Sequence, residues 1–179
     1  MSFDKNIHHR RSIRYKKCDY SSDLSFFVTI CAIDKKCIFG KIAKDKTVLS
    51  DTGKIIEQCL LNIPAHFPDT KIIEYVIMPN HIHFILTTFA IHGENGTKLF
   101  DYVRIDDGYT TPKLKHGTSM TLGSIIRGFK VGVVKQIGKP VFQRNYYDRI
   151  ICDDDEYAGI VHYIKMNPIN WTKDSNFVK

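Results

Sequence analysis

The run "YVIMPNHIHFIL", Tyr75 to Leu86, constrains the fold of this 179-residue chain more than any other stretch. Tyr75, Val76 and Ile77 read as one strand, and His81 to Thr88 as the next. Met78-Pro79-Asn80 is the corner between them, with Pro setting φ and Asn tolerating the left-handed region. Side chains alternate along a strand, so His81 and His83 share one face while Ile82 and Phe84 share the other. One face therefore enters a core and the other carries two adjacent imidazoles. Such a pair binds one divalent ion or is ordinary polar surface, and an isolated H-x-H leaves both readings open.

A chain of this length with 43% hydrophobic and 25% charged residues builds one domain with a sizeable core. No apolar run approaches the roughly 20 residues of a membrane span, and "SFFVTICAI" is broken by Ser25 and Thr29. The basic start lacks the apolar stretch of a signal peptide. Cys18, Cys31, Cys37, Cys59 and Cys152 are odd in number and show no C-x-x-C spacing. The expectation is reduced, mostly buried thiols in a cytoplasmic protein with no membrane contact, nucleoid-associated when bound to DNA.

Twenty-six Lys and Arg against nineteen acids give a net charge of +7, a moderate excess that suits nucleic acid. Its placement is more informative. Lys5, Arg10, Arg11, Arg14, Lys16 and Lys17 crowd the first seventeen residues, and Arg127, Lys130, Lys135 and Lys139 lie on one predicted helix and the turn after it. Taken singly, each group also fits a solvated surface.

Strands and helices interleave along the chain. Leu24 to Ile33 is a predicted strand, and Cys37 to Ile42 is expected to return as its hairpin partner. "SDTGKIIEQCLLNIPAHF" is a helix capped by Ser50 or Asp51, with Ile55, Ile56, Cys59, Leu60 and Ile63 as its apolar stripe. Residues 90–118 show no period and are expected to form a mobile surface insertion in a single domain spanning 1–179. "TSMTLGSIIRGFKVGVVKQIG" is a second helix, whose Gly123, Gly128 and Gly132 suggest close packing or ligand contact. Val141 to Ile151 is extended. Asp153 to Met166 is a final helix with acids at its N-terminus and Pro168 beyond its end.

On that last helix Tyr157, Ile160, Val161 and Ile164 form the predicted buried stripe. Tyr163 and Asn167 share a line at i, i+4, roughly 70–110° from the centre of the stripe at about 100° per residue. That shoulder could overhang the exposed face of a sheet. If His81 and His83 are on that face, two imidazoles and an amide oxygen form a metal site with a phenol beside it. A divalent ion so held keeps positions open for phosphate oxygens and acts as a Lewis acid. A phenol can attack phosphorus and form a covalent phosphotyrosine, which conserves the bond energy for a later joining step.

"MPNHIHFIL" resembles the His-hydrophobe-His motif of the HUH single-strand DNA endonucleases. With it come "RRSIR" at 10–14, "FFVTICAIDKKCIFG" at 26–40, "GSIIRGFK" at 123–130, "FQRNYYDRII" at 142–151 and "YIKMNP" at 163–168. Together, in that order and over nearly the whole chain, they resemble the REP-associated tyrosine transposases. The resemblance implies an α+β, ferredoxin-like sandwich with an antiparallel sheet and helices on one face. It implies Tyr163 as nucleophile, His81, His83 and Asn167 as ligands of Mg²⁺ or Mn²⁺, and single-stranded DNA at the foot of a hairpin as substrate. The adduct implied is a 5′-phosphotyrosine with a free 3′-OH. Phe142 stands where many members have Trp, and 90–118 matches none of the motifs.

For DNA contact the expected set is Arg10, Arg11, Arg14, Arg127 and Lys130, with Gln143, Arg144, Tyr146, Tyr147 and Arg149 of the "FQRNYYDRII" segment. Aromatic rings beside arginines are a usual platform for single-stranded bases. Tyr146 and Tyr147 are rival nucleophiles without an amide at i+4. Three classes follow: a nicking and joining enzyme, a domesticated hairpin-binding protein that hardly cuts, and a hydrolytic zinc enzyme. The absence of an acidic base near His81 in the sequence argues against the third. A homodimer with the tyrosine supplied in trans and a monomer are both open.

Overall fold

A computed structural model describes residues 23–89, 100–104, 110–114 and 121–178. In chain order the elements are β1 (Leu24–Cys31), β2 (Gly40–Ala43), β3 (Lys46–Leu49), α1 (Asp51–Leu61), α2 (Ile63–His66), β4 (Thr70–Ile77) and β5 (His81–Thr88). There follow β6 (Phe100–Arg104), β7 (Thr110–Leu114), α3 (Leu122–Ile137), β8 (Tyr147–Ile151) and α4 (Asp154–Met166). The main sheet has the order β4-β5-β1-β8, and all three neighbouring pairs are antiparallel. Taken as β1-α1-β4-β5-α3-β8 with β1 and β5 central, this is the ferredoxin-like connectivity.

β5 is buried along seven of its eight residues, so both of its faces are covered. Ile82, Phe84 and Leu86 join Val28 and Ile30 of β1 in one core with Ile56 and Leu60 of α1 and Ile125, Phe129 and Val133 of α3. Each large side chain there contributes roughly 1.5–3 kcal/mol of apolar burial. α1 and α3 therefore cover one face of the sheet. The opposite face carries His81 and His83, and α4 lies over it, tied to β4 by a 3.3 Å ion pair between Lys165 and Glu74. An extra residue in β4 between Ile72 and Glu74 shifts the register and places Glu74 opposite Ile85 on this histidine face.

Several elements differ from the sequence-based expectation. Cys37 to Ile42 does not return against β1; instead β2 pairs with β3 in a separate two-stranded sheet, because β5 and β8 already occupy both edges of β1. Within 90–118, expected as a mobile insertion, β6 pairs antiparallel with β7, and the rest lies outside the described residues. The predicted helix over 50–67 breaks into α1 and the short α2, with Pro64 in the first turn of the latter. Cys31, Cys37 and Cys59 are free. Cys152 is disulfide-bonded, against the expectation of five reduced thiols. Among the described residues no helix is long and apolar enough to cross a membrane.

Ser50 caps α1, its Oγ accepting from the Gly53 N–H at 3.1 Å and donating to the Ile38 carbonyl at 2.7 Å. Gly53 presses on the chain just before β2, where an added Cβ would run into the Phe39 carbonyl oxygen. Gly53→Ala is therefore expected to lower the thermal midpoint. The overpacking exceeds the gain in helix propensity of about 1 kcal/mol. A midpoint that rises in thermal denaturation would show that this junction yields.

Candidate functional site

Strand parity sets the first two groups. Across the histidine face, Thr29 of β1 lies between His83 of β5 and Tyr147 of β8, and Cys31 lies opposite His81. The imidazole centroids are 4.5 Å apart, with side chains 0% exposed for His81 and 3% for His83. Phe27 stacks on His83 at 5.3 Å, and Trp171 covers His81 at 5.9 Å.

Hydrogen bonds decide which nitrogen of each ring is available. The Asn80 Nδ2 group donates to the carbonyls of Lys35 (3.0 Å) and Asn176 (2.7 Å). Its Oδ1 is thereby turned to His81 Nδ1 at 2.8 Å, so that nitrogen carries the proton and Nε2 keeps its lone pair. Thr29 Oγ1 lies 2.8 Å from His83 Nδ1, which leaves His83 Nε2 facing the site. Burial pushes the His81 pKa down to about 4 despite the nearby Asp174 charge. Burial, then His81 itself, pushes His83 down to about 3. Both rings are neutral at pH 7, the form in which imidazole ligates metals.

α4 supplies the next two groups. Asp153 caps it, accepting from the Glu156 N–H at 2.7 Å. Only Ile164 of its predicted stripe is fully buried, while Tyr157, Ile160 and Val161 are half-buried. The helix thus overhangs the sheet by a narrow contact, and its shoulder reaches the histidines. Tyr163 Oη is 3.2 Å from His83 Nε2 and donates to Asp174 Oδ2, also at 3.2 Å. Asn167 is 3% exposed, and its Nδ2 donates to the same Asp174 oxygen at 3.1 Å. A carboxylate only accepts, so the amide must present its NH₂ to Asp174 and aim Oδ1 elsewhere. His81 Nε2 and Asn167 Oδ1 are both buried without a hydrogen-bond partner among the described residues.

Orphaned buried acceptors of this kind are costly unless something ligates them. Two imidazole nitrogens and an amide oxygen, all lone-pair donors, fit a divalent cation. Ligand atoms of His81, His83 and Asp174 lie within 4.8 Å of one another, so a carboxylate is at hand as well. The 3.9 Å approach of His81 Nε2 to Asp174 Oδ2 is no ion pair at neutral pH, because the ring is uncharged there.

Asp174 is the site residue that sequence reasoning missed. Burial raises its pKa, yet the Asn176 N–H (2.6 Å), the histidines and the Asn167 amide outweigh that and bring it below the ordinary value. The same carboxylate, after burial, helps raise the phenol pKa of Tyr163. The only sequence signal is the D-S-N turn after Pro168, in which Asp174 accepts from the backbone two residues on.

Arg10, Arg11 and Arg14 lie outside the described residues. Arg127 is exposed on α3, in the helix layer across the sheet from the histidines. Lys130, expected to contact DNA, donates its ammonium to the carbonyls of Gln143 (2.8 Å), Arg144 (3.2 Å) and Asn145 (3.1 Å). Arg149 pairs with Glu156 at 2.6 Å. Tyr146 is half-buried with Lys130 over its ring, whereas Tyr147 is 60% exposed on β8. Arg144 is exposed, and Gln143 lines a cleft beside Tyr163.

The buried imidazoles make stability pH-dependent. Each folded pKa lies below the unfolded value of 6.5. The stabilisation is therefore complete above that value and is lost as pH falls toward the folded values, by about 2 kcal/mol per histidine at pH 5. Thermal melts of the metal-free chain should show a falling midpoint from pH 7 to 5, with a flatter slope in the His81→Asn/His83→Asn variant. Equal slopes would contradict the buried neutral rings.

No family model matches the chain. A Haemophilus influenzae protein, described as an uncharacterized protein, is 42% identical over 182 residues, spanning 98% of this chain and 97% of its own. Among solved structures, a REP-associated tyrosine transposase bound to a REP hairpin matches with a TM-score of 0.53 at 17% identity, over 89% of this chain and 74% of that one. A putative transposase from Deinococcus radiodurans matches 85% of this chain and 96% of its own at 10% identity and a TM-score of 0.47. The chain belongs to one family with the Haemophilus influenzae protein, and it has the fold of the REP-associated tyrosine transposase.

Proposed function

We propose that the protein is a metal-dependent single-stranded DNA endonuclease and strand transferase, which cleaves at hairpins through a 5′-phosphotyrosine. One observation carries this reading: ligand atoms of His81, His83 and Asp174 gather within 4.8 Å of one another beside a tyrosine hydroxyl, and among the described residues His81 Nε2 and Asn167 Oδ1 are buried without a hydrogen-bond partner. The solved relative in fold was crystallised on a REP hairpin, which suits the same substrate here. The net charge of +7 is of the right sign.

His81, His83 and Asn167 would hold Mg²⁺ or Mn²⁺, which supplies Lewis-acid polarisation of the scissile phosphate. The rest falls to the chain. Tyr163 is 43% exposed, so a strand can reach its hydroxyl. Its pKa is raised, so the phenol enters protonated and gives up its proton as Oη bonds to phosphorus. The nearest carboxylate to receive that proton is Asp174, whose Oδ2 is 3.2 Å away. The P–O3′ bond breaks, the 3′ oxygen leaves as a hydroxyl after taking a proton from solvent, and the 5′-phosphate stays on Tyr163. Attack by another 3′-OH reverses the sequence and joins strands.

Asp174 also favours a second reading. Its carboxylate beside His81 supplies the acidic group whose absence from the local sequence argued against a hydrolytic metal enzyme. A labelled hairpin oligonucleotide separates the two. Covalent capture supports strand transfer, and cleaved DNA without a protein adduct supports hydrolysis.

Tyr163→Phe is expected to abolish cleavage and leave DNA binding intact, since it deletes one oxygen and keeps the ring. His81→Ala or His83→Ala should remove cleavage in Mg²⁺ or Mn²⁺, and Asn167→Ala should be milder because water can replace an amide oxygen. A DNA-linked peptide containing Tyr146 or Tyr147, or cleavage that persists in EDTA, would overturn the assignment. The Arg10/Arg11/Arg14 triple Ala variant should bind hairpin DNA more weakly and with a shallower salt dependence. An unchanged salt slope in binding titrations would remove that arm from the interface.

A further inference from the structure

Beside the tyrosine hydroxyl lies a cleft of about 460 Å³, within the range of roughly 300–1,000 Å³ that takes small-molecule-sized ligands. Tyr163 and His83 line it, Phe27 and Thr29 contribute from β1, Gln143 and Asn145 from the segment that leads into β8, and Tyr147 from the start of β8. We propose that this cleft takes one unstacked base of the strand next to the scissile phosphate and reads its edge with the side-chain amides of Gln143 and Asn145. The inference rests on the nicking role proposed for Tyr163.

Chemistry, placement and rigidity support it independently. Tyr147 presents a 60% exposed ring on the histidine face, a surface on which a base can stack. Among the described residues neither amide side chain has a hydrogen-bond partner, so both keep a donor and an acceptor for a base edge. The Watson–Crick edge is free only in an unpaired nucleotide, the state of a strand at the foot of a hairpin. The amide-bearing loop is also held from behind. All three donors of the Lys130 ammonium go to the successive carbonyls of residues 143–145. The Gln143 N–H donates to the Cys31 carbonyl at 2.9 Å, and Phe142 is 7% exposed between Phe39 and Phe129. An ordinary surface connection has no use for a half-buried cation fixing three carbonyls in a row. A recognition loop gains from it, since a rigid site loses less freedom on binding.

The test uses the full chain and a pool of hairpin oligonucleotides randomised at the nucleotides flanking the cleavage point. Strands captured covalently on the protein are sequenced. Wild type should enrich one base at one flanking position by about tenfold or more. Gln143→Ala/Asn145→Ala should reduce that enrichment to near unity, with the thermal midpoint measured alongside as the check on folding. Gln143→Glu/Asn145→Asp keeps the shape but replaces donors by acceptors, and should move the preference toward cytosine, whose exocyclic amine donates to carboxylates. A purely structural role for the loop would not change which base is preferred. Capture without a flanking preference, or a preference that survives both double variants, would overturn the subsite and leave the nicking reading standing. No capture from any member of the pool would sink both.

Discussion

The side-chain amide of Asn80 joins three distant stretches of chain. Its NH₂ group holds the carbonyls of Lys35 and Asn176, and its oxygen takes the Nδ1 proton of His81. An amide has one oxygen and one NH₂, so the first two bonds determine the third. That fixes the His81 tautomer before any ligand arrives. It also anchors the segment carrying Asp174, two residues from Asn176, over the imidazoles. Asp174 then orients the Asn167 amide and meets the Tyr163 hydroxyl. A residue that sequence reasoning treats as a corner former thus governs the donor set of the whole site.

The arrangement has a cost that the fold must bear. Two imidazoles sit almost fully buried, one acceptor on His81 is unpaired, and so is the oxygen of Asn167. Each unpaired buried acceptor costs on the order of 1–3 kcal/mol. The aromatic rings of Phe27, Trp171 and Tyr163 pack around the pair, and this apolar setting strengthens whatever electrostatic contact a cation makes there. Local instability at a binding site is ordinary where the ligand relieves it.

Much of this was legible in the sequence because it is local and periodic. Alternation along "HIHFIL" placed the histidines on one face, and the i, i+4 spacing placed Tyr163 and Asn167 on one shoulder of α4. Both geometries hold in the structure. What could not be read depends on chain reversals and long-range pairing. The strand pattern near Cys37 says that a strand forms, but not that β1 is already flanked on both sides. Helical periodicity puts Lys130 on an accessible flank of α3, yet nothing in the spacing reveals that its ammonium meets the carbonyls of residues 143–145. Asp174 lies beyond Pro168 in a stretch without periodicity, and only the fold brings it to the histidines.

Core and site are coupled through the parity of one strand. Ile82, Phe84 and Leu86 face α1 and α3, while His81, His83 and Ile85 face α4, so a slip of one residue in β5 would exchange the two sets. The slip would press two imidazoles into an aliphatic core with no partner and turn three large apolar side chains toward the ligand position. Burial energy in the core therefore holds the two histidines in register. The register shift in this sheet falls in β4, between Ile72 and Glu74. On that edge strand it turns Glu74 toward Lys165 and secures α4. In β5 the same extra residue would separate the two histidines onto opposite faces.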